Sequence, residues 1–142
     1  MNGASSRTIK LEIASRYEML EMIQTVLEQI ASMVGFGEEA THFMSVAVRE
    51  SVVNAIKHGN QANPEKRVTL TFVLSRSALD IQVQDEGLGF DPRTIPDPLA
   101  QDNLLKTDGR GIFYIRSFMD AVSYSFPSRG GTLVTMSKRL AG

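Results

Sequence analysis

Residues 43–60, FMSVAVRESVVNAIKHGN, decide the fold and form the second half of a predicted amphipathic helix. Glu50 and Asn54 lie four residues apart along the edge of its apolar stripe, and Lys57 lies on the next turn of that edge. On its own, such a row of polar groups is typical of any exposed helix face. An α-helix rotates by about 100° per residue, and at that rotation the apolar residues form one continuous stripe, which indicates packing on a core. The stripe consists of Ala40, Phe43, Met44, Ala47, Val48, Ser51 and Ala55.

Length and composition indicate one compact domain over residues 1–142. The chain has 15 basic and 16 acidic residues, a balance that predicts no binding to nucleic acid or to an anionic membrane. It contains no apolar run of about 18 residues and no charged-then-apolar leader, so we expect a cytoplasmic protein without a membrane span. Cysteine is absent and histidine occurs twice, which excludes disulfides, thiol catalysis and a zinc site built on several histidines.

Hydrophobic periodicity predicts the other helices and strands. A long first helix over residues 15–34 begins with a capping box of Ser15 and Glu18, and the central helix runs from about residue 38 to residue 58. A third helix begins at Gly109-Arg110-Gly111 and ends near Asp120. Alternation of apolar and polar residues predicts five strands, at residues 7–14, 68–74, 79–85, 121–126 and 132–140.

The third predicted strand ends in an unusual position for a carboxylate. Leu79, Ile81 and Val83 point to one face of the sheet. Asp85 continues the same two-residue spacing, so its side chain is predicted to point to that face as well. Burying a carboxylate without a partner is expensive, so Asp85 is expected either at a solvated edge or beside a donor that arrives with a ligand. Gly87, two residues later, allows the backbone to turn and lets another group approach closely.

Residues 90–108 follow no period, and their three prolines forbid a long regular element. A connection of this length in a compact domain is usually disordered or a functional lid. The glycines of Gly109-Arg110-Gly111, at the start of the next helix, let backbone amides meet an anion, typically phosphate. We therefore predict a lid over residues 90–108 that leads into a phosphate-type loop.

Four motifs follow one another in a fixed order, although each is a weak signal by itself. Together they resemble the boxes of the GHKL, or Bergerat-fold, ATPases: Glu50-x-x-x-Asn54, Asp85-x-Gly87-x-Gly89, Gly109-x-Gly111 and Gly131-Thr132. The local sequences of residues 54–59 and 117–120 look like those of the anti-sigma-factor serine kinases of bacterial stress and sporulation switches. The resemblance covers nearly the whole chain.

The resemblance and the rules of layer packing imply a two-layer α/β sandwich, the Bergerat ATP-binding fold. A mixed, mainly antiparallel sheet of about five strands would carry three helices on one face. ATP or ADP would lie between the helices and the sheet, under the lid.

The resemblance also implies roles for individual residues. Asn54 would ligate a Mg²⁺ that bridges the phosphates, Asp85 would accept a hydrogen bond from the adenine amino group, and Glu50 would accept a proton from an incoming hydroxyl or orient it. Thr132 would support Asp85. Gly87 and Gly89 would lie against the base and the sugar, and the segment Gly109-Arg110-Gly111 would surround the phosphates. Lys57 and Arg110 would either offset the charge of the phosphates or be merely exposed.

The implied function is an ATP-dependent protein-serine kinase that holds a sigma factor inactive and phosphorylates an anti-anti-sigma partner. A homodimer is expected. One alternative is a partner-binding switch that binds ATP or ADP and transfers no phosphate. Another is the ATPase module of a split histidine-kinase system, although the residues before Ser15 are too few for the dimerisation helix that bears the phospho-accepting histidine in those kinases.

Overall fold

A computed structural model describes residues 7–87, 115–128 and 130–140 of the chain. The predicted lid, residues 90–108, lies outside the described residues. So do four of the predicted ligand-binding residues, Gly89, Gly109, Arg110 and Gly111. The fold below is built from the remaining elements.

Five strands form one sheet, as the alternating pattern predicted. The strands are β1 (Arg7–Ala14), β2 (Arg67–Leu74), β3 (Ala78–Gln84), β4 (Ala121–Ser125) and β5 (Leu133–Arg139). In spatial order they run β1, β2, β3, β5, β4, and in the described part of the chain each neighbouring pair is antiparallel. The five-stranded, mainly antiparallel sheet is therefore confirmed.

The two faces of the sheet differ in polarity because side chains alternate along each strand. Phe72 lies opposite Ile81 and Ile81 lies opposite Met136, and all three are fully buried. The positions between them are polar and only partly buried, for example Thr71, Gln82 and Thr135. One face is thus committed to a core, where burying each large apolar side chain stabilises the fold by about 1.5–3 kcal/mol.

Two long helices cover the apolar face. They are α1 (Leu20–Val34) and α2 (Glu38–Asn54), and their buried side chains share one hydrophobic cluster with those of the sheet. Residues 115–118 are also helical, and the ring of Phe118 stacks on that of Phe43 with 4.7 Å between centroids. The predicted two-layer α/β sandwich is confirmed. In the described ranges no helix is long and apolar enough to cross a membrane.

Two glycines, Gly35 and Gly37, lie in the connection between the two helices. Gly35 ends α1 in the left-handed conformation, with φ of 111°, and its N–H donates to the carbonyl of Ala31. Gly37, in extended conformation, then precedes α2, whose first turn carries Glu38 and Glu39 near the positive end of the helix dipole.

The predicted capping box of Ser15 and Glu18 is wrong. A short 3₁₀ turn, Tyr17–Met19, precedes α1, and no side chain caps either element. The Ser15 hydroxyl instead donates to the carbonyl of Lys66 at 2.6 Å and accepts a hydrogen bond from the amide of Asn60 at 2.7 Å. Ser15 therefore joins the end of β1 to the segment before β2, a long-range contact that competes with capping.

Candidate functional site

Asp85 lies one residue beyond the end of β3 and is 2% exposed, so the inward position predicted from its parity is confirmed. Its Oδ1 accepts hydrogen bonds from the N–H of Gly87 at 3.0 Å and from the N–H of Thr132 at 3.2 Å. Its own N–H donates to the carbonyl of Thr132 at 3.2 Å. The carboxylate is thus anchored through one oxygen to two different loops.

The other oxygen of Asp85, Oδ2, receives no hydrogen bond from the described residues. Burial raises the pKa of the Asp85 carboxyl above its ordinary value of 3.8, while the hydrogen bonds from Gly87 and Thr132 and the charge of Lys66 act in the opposite direction. Desolvation is the larger effect, and it disfavours the charged form. Oδ2 is therefore a buried acceptor that a ligand N–H would satisfy.

This pKa shift predicts how stability depends on pH in the absence of ligand. Because folded Asp85 binds its proton more tightly than the unfolded chain does, the free energy of unfolding falls as pH rises from about 3.8 through the raised pKa. Asp85→Asn removes this effect. We expect the variant to gain stability relative to wild type as pH rises from about 4 to 7, measured by thermal unfolding without nucleotide.

Three glycines close around Asp85, one from each of three chain segments. A Cβ on Gly59 would lie 2.2 Å from Asp85 Oδ2, and a Cβ on Gly131 would lie 2.2 Å from the Asp85 carbonyl oxygen. A Cβ on Gly87 would lie 1.7 Å from the carbonyl oxygen of Gly59. Gly131 also has a φ of 88°, which disfavours any side chain. The end of α2, the turn after β3 and the turn before β5 therefore meet at the carboxylate.

The C-terminal end of α2 continues as a π-helical turn, Ala55–Gly59. The N–H of Asn60 donates to the carbonyl of Ala55 at 2.8 Å, the five-residue spacing of a π-helix. Single π-helical turns within helices are frequently found at functional sites.

Asn54 is more deeply buried than the sequence predicted. It is 5% exposed, and its amide forms no hydrogen bond with the described residues. The predicted position on the border between core and solvent is wrong because Asn54 lies among buried neighbours: Val52, Ala55 and Ile56 are 0%, 3% and 0% exposed. An amide held here is available to a ligand.

The other two members of the predicted row, Glu50 and Lys57, differ from Asn54 in exposure. Glu50 lies one turn before Asn54 on α2 and is partly buried, whereas Lys57 lies on the π-helical turn and is exposed. Both make contacts within the protein. Glu50 and Asn54 therefore keep the predicted four-residue spacing, and Lys57 extends from the turn toward solvent.

Asn60 is a structural residue that the sequence did not single out. It is 1% exposed, and its amide nitrogen donates to Ser15 Oγ at 2.7 Å and to the carbonyl of Arg67 at 3.0 Å. Its Oδ1 accepts from the N–H of Glu86 at 2.8 Å. Asn60 thus ties the π-helical turn to β1, to β2 and to the residue after Asp85. A Gly-Asn pair directly after an apolar helix was the available signal.

A metal ion beside Asn54 would need ligands in addition to those that the described residues supply. In the ranges that the structure covers, no group of three or more histidine, aspartate or glutamate side chains converges to hold one. An amide oxygen, as on Asn54, suits Mg²⁺, which usually binds one or two protein ligands together with substrate phosphates and water. The donor set thus fits Mg²⁺ brought in with a phosphate-bearing ligand.

Comparison with known proteins gives a consistent result. Residues 13–138 match the model of the histidine kinase-like ATPase domain. The serine-protein kinase RsbW of Listeria monocytogenes serotype 4a (strain HCC23) is 28% identical over 136 residues, which cover 92% of this chain and 85% of that protein. The anti-sigma F factor of Bacillus cytotoxicus is 33% identical over 119 residues, which cover 82% of this chain and 81% of that protein.

Two solved structures share the fold. The structure of the RsbU and RsbW domains of a Mycobacterium tuberculosis protein matches with a TM-score of 0.67 at 15% identity, covering 94% of this chain and 32% of that one. A mycobacterial sensor histidine kinase, MprB, matches with a TM-score of 0.55 at 16% identity, covering 92% of this chain and 97% of that one.

Proposed function

The chain belongs to the family of histidine kinase-like ATPase domains, and from this premise we propose that it is an ATP-dependent protein-serine kinase that also acts as an anti-sigma factor. The observation that carries the proposal is the buried Asp85 carboxylate, which is anchored through Oδ1 and leaves Oδ2 as an acceptor for a ligand. Asp85 packs against the turn that follows α2, the helix that bears Asn54 and Glu50. The relatives named RsbW and anti-sigma F factor support the choice of partners.

Adenine binding would use Asp85 and the loops around it. Oδ2 accepts a hydrogen bond from the adenine amino group, while the backbone N–H groups of Gly87 and Thr132 hold Oδ1. Thr132 is 1% exposed, so it supports the carboxylate from within the protein. The backbone of Gly87, which has no Cβ, lets base and sugar lie close, as does Gly89 in the sequence motif.

Phosphate binding would involve the end of α2 and the glycine motif of residues 109–111. Asn54 offers an amide oxygen to Mg²⁺, and Gly109, Arg110 and Gly111 offer backbone N–H groups to phosphate oxygens. Bound Mg²⁺ neutralises part of the phosphate charge. Lys57, which is exposed on the π-helical turn, and Arg110 add positive charge near the phosphates.

Phosphoryl transfer would depend on Glu50. The serine Oγ forms a bond to the terminal phosphorus, the bond from that phosphorus to the bridging oxygen breaks, and ADP leaves. Glu50 accepts the proton of the serine hydroxyl. Its spacing of one helical turn from Asn54 supports this role, because the proposed base and the proposed Mg²⁺ ligand would then lie close together.

The partners proposed are a sigma factor and an anti-anti-sigma protein that carries the phosphorylated serine. Nucleotide state would decide which of the two is held, and the chain would act as a homodimer. The experiment is co-purification of the tagged protein from its own cells, followed by mass spectrometry. A co-purifying sigma factor, and a small partner that gains a phosphoserine when ATP is added, are the expected results. Recovery of a partner that no ATP treatment phosphorylates would refute the kinase part.

A further inference from the structure

The contact between Gly59 and Asp85 assigns a function to a residue that the sequence analysis left without one. We propose that Gly59 is a positioning residue: because it has no Cβ, the Asp85 carboxylate can keep the orientation in which Oδ2 faces the ligand. Gly59 would thereby determine the preference of the site for ligands that carry an amino group. The inference rests on the proposed adenine-nucleotide function and concerns the same site.

The need for glycine at position 59 is spatial. Gly59 does not have a positive φ, so an alanine would meet no backbone strain there. A Cβ would, however, lie 2.2 Å from Asp85 Oδ2, 2.3 Å from Cγ and 2.8 Å from Oδ1. These distances are all shorter than atoms tolerate, and they involve the whole carboxylate group.

Neither side of this contact has room to move. Asp85 is short, is 2% exposed and is anchored through Oδ1 to the N–H groups of Gly87 and Thr132. On the other side, the carbonyl of Gly59 packs so closely on Gly87 that a Cβ on Gly87 would lie 1.7 Å from its oxygen. An added methyl group at position 59 would therefore turn the carboxylate and weaken its bonds to both loops.

Rotation of the carboxylate would change what the site binds. With Oδ1 occupied by two backbone donors, Oδ2 is the acceptor left for a ligand. A turned Oδ2 no longer faces the ligand amino group. The specific consequence is loss of discrimination between ligands with and without the amino group.

The test compares ADP with purine riboside 5′-diphosphate, which lacks the amino group, by calorimetry on the full chain. We expect wild type to favour ADP and Gly59→Ala to lower that preference by roughly tenfold or more, the scale of one mispaired buried hydrogen bond. Gly37→Ala is the matched control, because a Cβ there meets nothing within 4 Å, and it should keep the preference of wild type.

A double variant separates the steric contact from a general loss of structure. Asp85→Ala removes the carboxylate, so adding Gly59→Ala to it should change the preference no further. If Gly59→Ala alone does not fold, restored folding in the double variant supports the contact, and a double variant that stays unfolded overturns it.

The remaining outcomes distinguish this inference from the proposed function. Equal weakening of both ligands by Gly59→Ala, with the preference unchanged, would show that Gly59 is merely structural and would overturn the inference alone. A wild type that binds neither diphosphate would overturn the proposed function and this inference with it.

Discussion

Glu50→Gln is expected to lower the rate of phosphoryl transfer to the partner serine by about 100-fold or more, the scale of losing a positioned general base. Glutamine keeps the shape of the side chain and removes its basicity and charge. Glu50 lies one helical turn from Asn54, so the base would be near the terminal phosphate, where the hydroxyl must approach in line. Nucleotide and partner binding should be unchanged, because neither needs the proton to move.

The measurement is transfer of radiolabel from ATP to the purified partner by both proteins, with nucleotide affinity determined in parallel. Glu39→Gln is the control, since it removes an exposed carboxylate from the first turn of the same helix. Equal transfer by Glu50→Gln and wild type would remove Glu50 from the chemistry. If neither protein transfers phosphate although the partner binds, the chain is a non-catalytic switch.

Asn54→Ala is expected to abolish the tightening of ATP binding by Mg²⁺. The amide is buried, has no hydrogen bond to the described residues and is the proposed ligand of the metal. A tenfold tightening is worth about 1.4 kcal/mol, which corresponds to a few degrees of melting temperature in a domain of this size. The melting temperature with ATP should therefore rise on adding Mg²⁺ in wild type and stay constant in the variant.

The folded state itself should tolerate this change, because Asn54→Ala breaks no internal hydrogen bond in the described part of the chain. Asn63→Ala provides the control, as Asn63 is an exposed turn residue whose side chain accepts from the N–H of Glu65. A response to Mg²⁺ in Asn54→Ala as large as that of wild type would show that another residue holds the metal.

Local periodicity was enough to predict the elements that form the core. Alternation along residues 68–74 and 79–85 predicted both strands and placed Asp85 on the inner face, because side-chain direction in a strand depends only on position. In the same way the helical spacing of α2 located Glu50 and Asn54 one turn apart. Each of these features can be predicted from the sequence of a single segment.

Contacts between distant segments could not be predicted in this way. Ser15 looked like a helix cap until Asn60, 45 residues away, was found to donate to its hydroxyl. Gly59 directly follows the predicted end of the central helix, yet it packs against Asp85. The π-helical turn, Ala55–Gly59, has no periodic signature in the sequence. Such features depend on which loops the fold brings together, and they make up most of the geometry around the Asp85 carboxylate.

The central claim, that the Asp85 carboxylate binds adenine nucleotide, is tested most directly by calorimetric titration of ADP with Mg²⁺ into wild type and Asp85→Asn. The amide presents a donor where the adenine amino group needs an acceptor, a mismatch of about 1–3 kcal/mol. We predict binding to wild type and affinity weaker by about 10- to 100-fold in Asp85→Asn. Equal affinity of the two proteins, or no binding to wild type, would contradict the account.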